Sequence, residues 1–276
     1  MPLGAYIIDP NRKIIFWNQA SRQISGYLPQ DVIGRPCSGD LLSHCSTSGD
    51  SLCDQHTCPM FASLQDGVSR SAVLLLRHKE GHRVRVFTRT VPVRDEEGKI
   101  IAVGQMFQSE TSMDGLLEGE PDLASRAEME LSSHEHTEEQ LRLHWHHGRD
   151  QLIVFLITID QLHEMGVNRG PAMVQTVMNT VAKTAASAIW MPHYLGKWTD
   201  NRFILMVPRC DRKCSEEIIS ELHAVTGSSR VKWWGDTIIP TIQIKAASAD
   251  EFESPEALLS SLDPTWVHTK LLPGDK

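Results

Sequence analysis

The run Leu152-Ile153-Val154-Phe155-Leu156-Ile157 constrains this chain more than any other segment. Six consecutive apolar residues leave no face for water, so they predict a strand covered by protein on both sides. The residues after it supply the cover. Pro171–Trp190 sets Val174, Val177, Met178, Val181, Ala185 and Ile189 at helical spacing. Arg202–Val207 reads as a second buried strand. Ser215 is placed to cap a helix running to Val225, with Glu216 and Glu217 near its positive end and Gly227 after it. Thr237–Lys245 reads as a strand with Pro240 at an edge or bulge, and Ser254–Leu262 as a short helix stopped by Asp263-Pro264. Strands alternating with helices over residues 149–276 predict an α/β sandwich.

Residues 1–109 follow another pattern. Ala5–Asp9 and Lys13–Phe16 flank the turn residues Asp9-Pro10-Asn11-Arg12, which predicts a hairpin. Asn18 is a candidate N-cap for a helix closed by Gly26, and Leu28–Ile33 fits a second short helix before Gly34. Pro59–Gln65 is helix-compatible. Three strand-like runs follow, Ser69–Arg77, Arg83–Arg94 and Lys99–Ser109, joined by turns at Glu80-Gly81 and Asp95–Gly98. The expectation is an α+β domain: a five-stranded antiparallel sheet with helices, whose concave face suits a ligand or a partner segment. Residues 110–148 read as a linker and a helix over Asp122–Gly148, with apolar residues too sparse for a coiled coil. A chain of 276 residues has room for two such domains.

Several classes of function are disfavoured. The longest apolar runs fall far short of the ~18 residues that span a bilayer, so no membrane contact is expected. A formal charge of −8 argues against nucleic acid. The start, Met1–Asp9, lacks the charge and apolar stretch of a signal peptide, so a cytoplasmic location with mostly reduced cysteines is expected. No Gly-rich phosphate loop or nucleophile elbow is present.

The segments Gly4–Asp9, Ile14–Ala20, Ile24–Tyr27, Val32–Arg35, His78–Val84, Val91–Asp95 and Gly98–Ile100 together resemble a PAS sensor domain over residues 4–108. The second half resembles the GGDEF domain of diguanylate cyclases, which join two GTP molecules into cyclic di-GMP. Leu123–Arg126, His147-Gly148, Ile157–His163, Gly196–Phe203 and the C-terminal Ala257–Leu259, Asp263 and Lys270 carry that resemblance.

Carried over residue by residue, the resemblance implies a damaged site. The family holds Mg²⁺ with carboxylates, since a hard cation takes oxygen ligands. Here the first metal position is Thr158, and the acidic pair of the signature is Asn201 and Arg202. The signature glycines are Thr199 and Asp200, and the guanine-reading positions are Gly166 and Gln175. Asp160 alone persists. The inhibitory Arg-x-x-Asp motif would fall at Trp190 and His193 and is absent. The resemblance thus implies a pseudoenzyme with no catalytic residues, in which GTP binding is not expected. The partner would be a second copy of the chain, as a homodimer, or another signalling protein. An active or weakly active cyclase, and a metal or redox sensor, are the alternatives.

The sensor alternative rests on Cys37, Cys45, Cys53 and Cys58. Four thiolates in one loop are a ligand set for Zn²⁺ or an iron–sulfur cluster. Their spacings, seven, seven and four intervening residues, are not the close pairs of most structural zinc sites. Burial as small apolar groups, or redox-labile dithiols pairing Cys53 with Cys58 or Cys37 with Cys45, stand beside that reading. The cluster His134, His136, His144, His146 and His147 reads as a solvated helix face. Cys210 and Cys214 read as a surface loop, and Trp233-Trp234 as either buried or a partner surface.

Overall fold

The computed structural model describes residues 2–39, 41–53, 57–109 and 133–265. Its contacts divide the chain into two compact units. One holds Met1–Glu128 with Lys183–Trp190 and Ala224–Ile239; the other holds Met129–Ala182, Met191–His223 and Pro240–Lys276.

In the first unit, β1 (Gly4–Ile8) and β2 (Ile14–Trp17) form the expected hairpin. Asp9 makes the turn: its Oδ1 accepts the backbone N–H groups of Asn11 and Lys13 at 2.9 and 2.8 Å. Asn18 caps α1 (Gln19–Ser25), its Oδ1 accepting from Ser21 N at 2.8 Å and from Ala5 N at 3.0 Å. One side chain therefore both starts the helix and ties it to β1. Gly26 ends α1 in the left-handed conformation. After α2 (Pro29–Val32) and α3 (Pro59–Asp66) come β3 (Ser71–Arg77), β4 (Arg83–Arg94) and β5 (Ile100–Ser109). The sheet order is β2-β1-β5-β4-β3, with every pair antiparallel. The rings of Tyr6, Trp17 and Phe107 meet on one face, with centroids 5.6 to 6.4 Å apart, and pack with Ile8, Leu74, Val103 and Met60 into the core. Gly4 is required there, because a Cβ at that position would lie 2.6 Å from the Phe107 ring.

The second unit is built on β6 (Leu152–Ile159). Around it lie β7 (Tyr194–Thr199), β8 (Arg202–Pro208) and β11 (Ile242–Ser248), in the order β11-β6-β8-β7 and antiparallel throughout. Leu152–Leu156 are all buried, as an unbroken apolar run demands. One face of β6 packs Leu152, Val154 and Leu156 with Leu141 of α4 (His134–Gly148) and with Leu258, Leu259 and Leu262 of α8 (Pro255–Leu262). The helices α5 (Leu162–Arg169), α6 (Pro171–Ala188) and α7 (Arg212–Gly227) separate the strands in sequence, and the last residues of α6 and α7, from Lys183 and from Ala224, belong to the first unit.

Four expectations change. Thr237–Lys245 is not one strand: β10 (Asp236–Ile238) pairs with β9 (Val231–Trp233) as a separate hairpin, and β11 begins only at Ile242. Pro240 has no N–H to carry a ladder across that gap. The helix assigned to Ser215 starts earlier, because Asp211 accepts Cys214 N at 2.8 Å and caps α7. Cys210 and Cys214 are joined as a disulfide, with Cα atoms 5.5 Å apart across the start of that helix. The linker helix read over Asp122–Gly148 is described only as α4. Its buried Leu141 belongs to the core of the second unit, and Leu123–Arg126 and Lys270 lie outside the described residues. No described helix is long and apolar enough to cross a membrane.

If α4 is part of that core, Leu141→Ala should destabilise the unit by about 2–5 kcal/mol, the usual cost of a buried leucine cavity. Denaturant unfolding followed by tryptophan fluorescence reads this; a change below about 0.5 kcal/mol would show α4 to be a detachable linker.

Candidate functional site at the hairpin of the second unit

The antiparallel register brings the signature positions together. Thr158, near the end of β6, sits opposite Arg202 on β8 and opposite Gln243 on β11. Thr199 and Arg202 close the hairpin between β7 and β8, and Asp200 and Asn201 form its turn. The turn is pinned to β6, since Asn201 O accepts Ile159 N at 2.9 Å. Thr199 donates its hydroxyl to Asn201 Oδ1 at 3.2 Å. Asp200 points into solvent and reaches Lys197 Nζ at 3.3 Å. Asp160 accepts from Gln243 Nε2 at 2.8 Å.

Arg202 has an internal partner. Its Nη1 donates to Asp263 Oδ2 at 2.6 Å and to Thr265 Oγ1 at 3.1 Å. Trp198 Nε1 donates to the same Asp263 oxygen at 3.2 Å, while Asp263 Oδ1 accepts from Thr265 N at 3.1 Å. Burial alone would raise the Asp263 pKa, but the hydrogen bond from Thr265 and the Arg202 guanidinium hold it below the usual carboxylate range. Arg202 Nε is buried without a hydrogen-bond partner.

The guanine-reading positions lie on two helices. Gly166 is within α5, where an added Cβ would come within 3.0 Å of Val174. Gln175, exposed on α6, donates to Asn179 Oδ1 at 2.8 Å. His193 bonds Met191 O through Nδ1 at 2.8 Å, and Trp190 is exposed.

The cysteines of the first unit are all buried and unpaired. Cys37 and Cys58 lie in the core behind Tyr6, Cys53 Sγ accepts His44 N at 3.2 Å, and Cys45 bridges to Leu75 of β3. Burial raises the pKa of Cys37 and Cys45 and pushes that of Cys53 up to about 12. No three of them form a ligand set. Among the described residues, the group whose candidate ligand atoms all lie within 4.8 Å of one another is instead His78, Glu80 and His82. In the sequence these residues carry part of the PAS resemblance and the Glu80-Gly81 turn, and their His-x-Glu-x-His spacing is the signal of a ligand set. On α4, His134 bonds Trp198 O through Nδ1 at 2.7 Å and packs on the Trp198 ring, so that histidine is not merely a solvated face. Trp234 is exposed at the turn between β9 and β10.

Comparison with known proteins agrees with these two architectures. The family described as PAS fold matches residues 1–113, and the family described as diguanylate cyclase, GGDEF domain, matches residues 129–270. The chain belongs to the GGDEF family, and its N-terminal part is a PAS-family domain. Among solved structures, a PAS domain from Colwellia psychrerythraea is 19% identical, with 40% of this chain and 86% of that one covered and a TM-score of 0.34. The fungal blue-light photoreceptor Vivid, in its light-state dimer, is 18% identical, covering 40% and 78%, with a TM-score of 0.33. The diguanylate cyclase SiaD of Pseudomonas aeruginosa, in complex with its activator SiaC, is 13% identical, covering 51% and 55%, with a TM-score of 0.45. No curated protein matches the chain.

Asp263→Asn should destabilise the second unit by about 1.5–3 kcal/mol at neutral pH, the value of a hydrogen bond to a charged group. The folded pKa of Asp263 is depressed. Its stabilisation is therefore complete above the unfolded value of about 3.9 and is lost as pH falls through the folded one. The gap between wild type and variant, read from melting temperatures across pH, should shrink only below about pH 4; a gap unchanged down to about pH 2 would show that the carboxylate's charge contributes nothing.

Proposed function

We propose that the GGDEF-family domain of this chain makes no cyclic di-GMP, and that the chain relays what its PAS-family domain senses through contact with a second copy or another signalling protein. The observation that carries this reading is the Arg202–Asp263 pair, at 2.6 Å, on the strand that opens at the hairpin. A dication at this corner would meet a guanidinium already held in place by a buried carboxylate. Coulomb repulsion between them is strong in a partly desolvated site.

The donor set supports the same reading. Mg²⁺ takes near-octahedral oxygen ligands and is usually anchored by carboxylates. The groups at the ends of β6 and β8 are the Thr158 hydroxyl, the Asn201 amide and the Arg202 guanidinium. Asp160 is a single carboxylate already bonded to Gln243. This set does not suit Mg²⁺. Thr199 and Asp200 add side chains where the family's glycines leave the backbone open to phosphates, and Asp200 adds a like charge. What the domain retains is a folded surface.

The test is direct. Incubation of the full chain with GTP and Mg²⁺, followed by chromatography, should yield no cyclic di-GMP, and calorimetry should detect no Mg²⁺-dependent GTP binding. Product formation, or binding with a dissociation constant near micromolar, would overturn the reading. The triple variant Thr158→Asp, Asn201→Asp, Arg202→Glu should gain Mg²⁺ affinity but lose thermal stability, because the new carboxylate at position 202 faces Asp263. Adding Asp263→Ser should recover part of that loss.

A further inference from the structure

The turn between β3 and β4 gathers three potential metal donors. Arg77 and Arg83 are the last paired residues of the two strands. Beyond them, His78 N donates to His82 O, and Gly81 N to His78 O, both at 2.9 Å. Gly81 takes φ 98°, in the region that favours glycine. This closure puts His78 and His82 on one face of the hairpin, where side chains of a cross-strand pair meet. Their rings stack with centroids 4.2 Å apart. Glu80, at the tip, lies over them, with its Oε2 3.8 Å from Nδ1 of each histidine.

A second observation is independent of that clustering. The His82 side chain is 9% exposed, and its Nδ1 is buried without any hydrogen-bond partner. Buried polar atoms are almost always satisfied, so an orphaned ring nitrogen facing a carboxylate indicates a missing partner.

The geometry points to a divalent cation site of the zinc class formed by His78, Glu80 and His82. Imidazole nitrogens select first-row transition ions over Mg²⁺ or Ca²⁺, and two of them with one carboxylate make the three-ligand set that leaves a position open to water. Bonds of ~2.0–2.2 Å in a tetrahedron place donors about 3.3–3.6 Å apart. The observed separations, two of 3.8 Å and all within 4.8 Å, require a closure of at most about 1.5 Å. Two contacts compete with the ion. Glu80 N donates to His78 Nδ1 at 3.2 Å, and Lys183 Nζ donates to Glu80 Oε2 at 2.8 Å. The lysine neutralises the carboxylate that the metal would use, so metal binding requires its displacement and removing it should tighten the site.

The experiment is a titration of the full chain with Zn²⁺ against a chromophoric chelator, repeated with Co²⁺ by visible absorption. One equivalent should bind, and the Co²⁺ spectrum should lack thiolate charge-transfer bands. Glu80→Gln and His78→Ala should each weaken binding by about 10–100-fold, at least the loss seen when an outer-shell partner is removed. Lys183→Met should strengthen it. Cys53→Ser and Cys58→Ser should leave it unchanged. Glu80 is exposed at the turn, so its isosteric variant keeps the test valid even if a histidine variant misfolds. Absence of stoichiometric binding, binding indifferent to Glu80→Gln, or binding lost with the cysteines would each overturn the assignment.

Discussion

Strand β6 has no polar face, and the second unit is arranged around that fact. An unbroken apolar run can be satisfied only by protein on both sides and by hydrogen-bonded neighbours at both edges. It therefore occupies an interior position between β11 and β8. The register follows from this placement. Because Thr158 faces Arg202 on one side and Gln243 on the other, the chemistry at this corner depends on three strands at once. The hairpin turn is not an independent loop, since its Asn201 carbonyl completes the hydrogen bonding of Ile159 N.

The same corner shows how a half-buried guanidinium is balanced inside the fold. Arg202 is only partly exposed, and a guanidinium at such a position requires an acceptor. Asp263, just beyond α8, supplies it, and the Trp198 indole N–H bonds the same oxygen. Removing either charge would leave the other half-buried and unpaired, which is the costly case for an ion pair. The pair therefore links the signature hairpin to the C-terminal helix through electrostatics as well as through the packing of Trp198 against Leu258 and Leu262.

Much of this was readable from residue order, and the limits have physical causes. Turn and cap residues act locally, so the Asp9 turn, the Asn18 cap, the Gly26 stop and the strand Arg83–Arg94 appear where the sequence puts them. The sheet of the first unit followed from counting such strands. Failures came where tertiary pairing competes with local pattern. Thr237–Lys245 is apolar enough for one strand, yet Pro240 separates two pairings that belong to different sheets. Strand β7 carries Lys197 and Thr199 and has no clean alternation, so only its hairpin with β8 identifies it. Ser215 lies four residues past the actual cap, Asp211, and a serine near a helix start looks like a cap from sequence alone. For the four cysteines, packing, dithiol and ligand-set readings share one sequence pattern, because convergence of the thiols is a property of the folded loop.

Donor chemistry distinguishes the two places in the first unit where a cation was considered. A thiol must lose its proton before it binds a metal, and burial makes that loss harder for Cys37, Cys45 and Cys53. The same burial acts in the opposite sense on a histidine: it disfavours the protonated ring and so preserves the lone pair that a metal uses. The stacked imidazoles also keep their spacing through the backbone closure of the β3–β4 turn, rather than through a long loop whose ends must be brought together. Glu80 contributes the charge that a pair of neutral nitrogens lacks. Its present bond to Lys183 shows that this charge already attracts a cation into the same corner. Competition between an ammonium and a dication for one carboxylate is decided by what else the cation can bind. An ammonium can only donate hydrogen bonds there, whereas a transition dication forms short, directed bonds to both ring nitrogens and the carboxylate together.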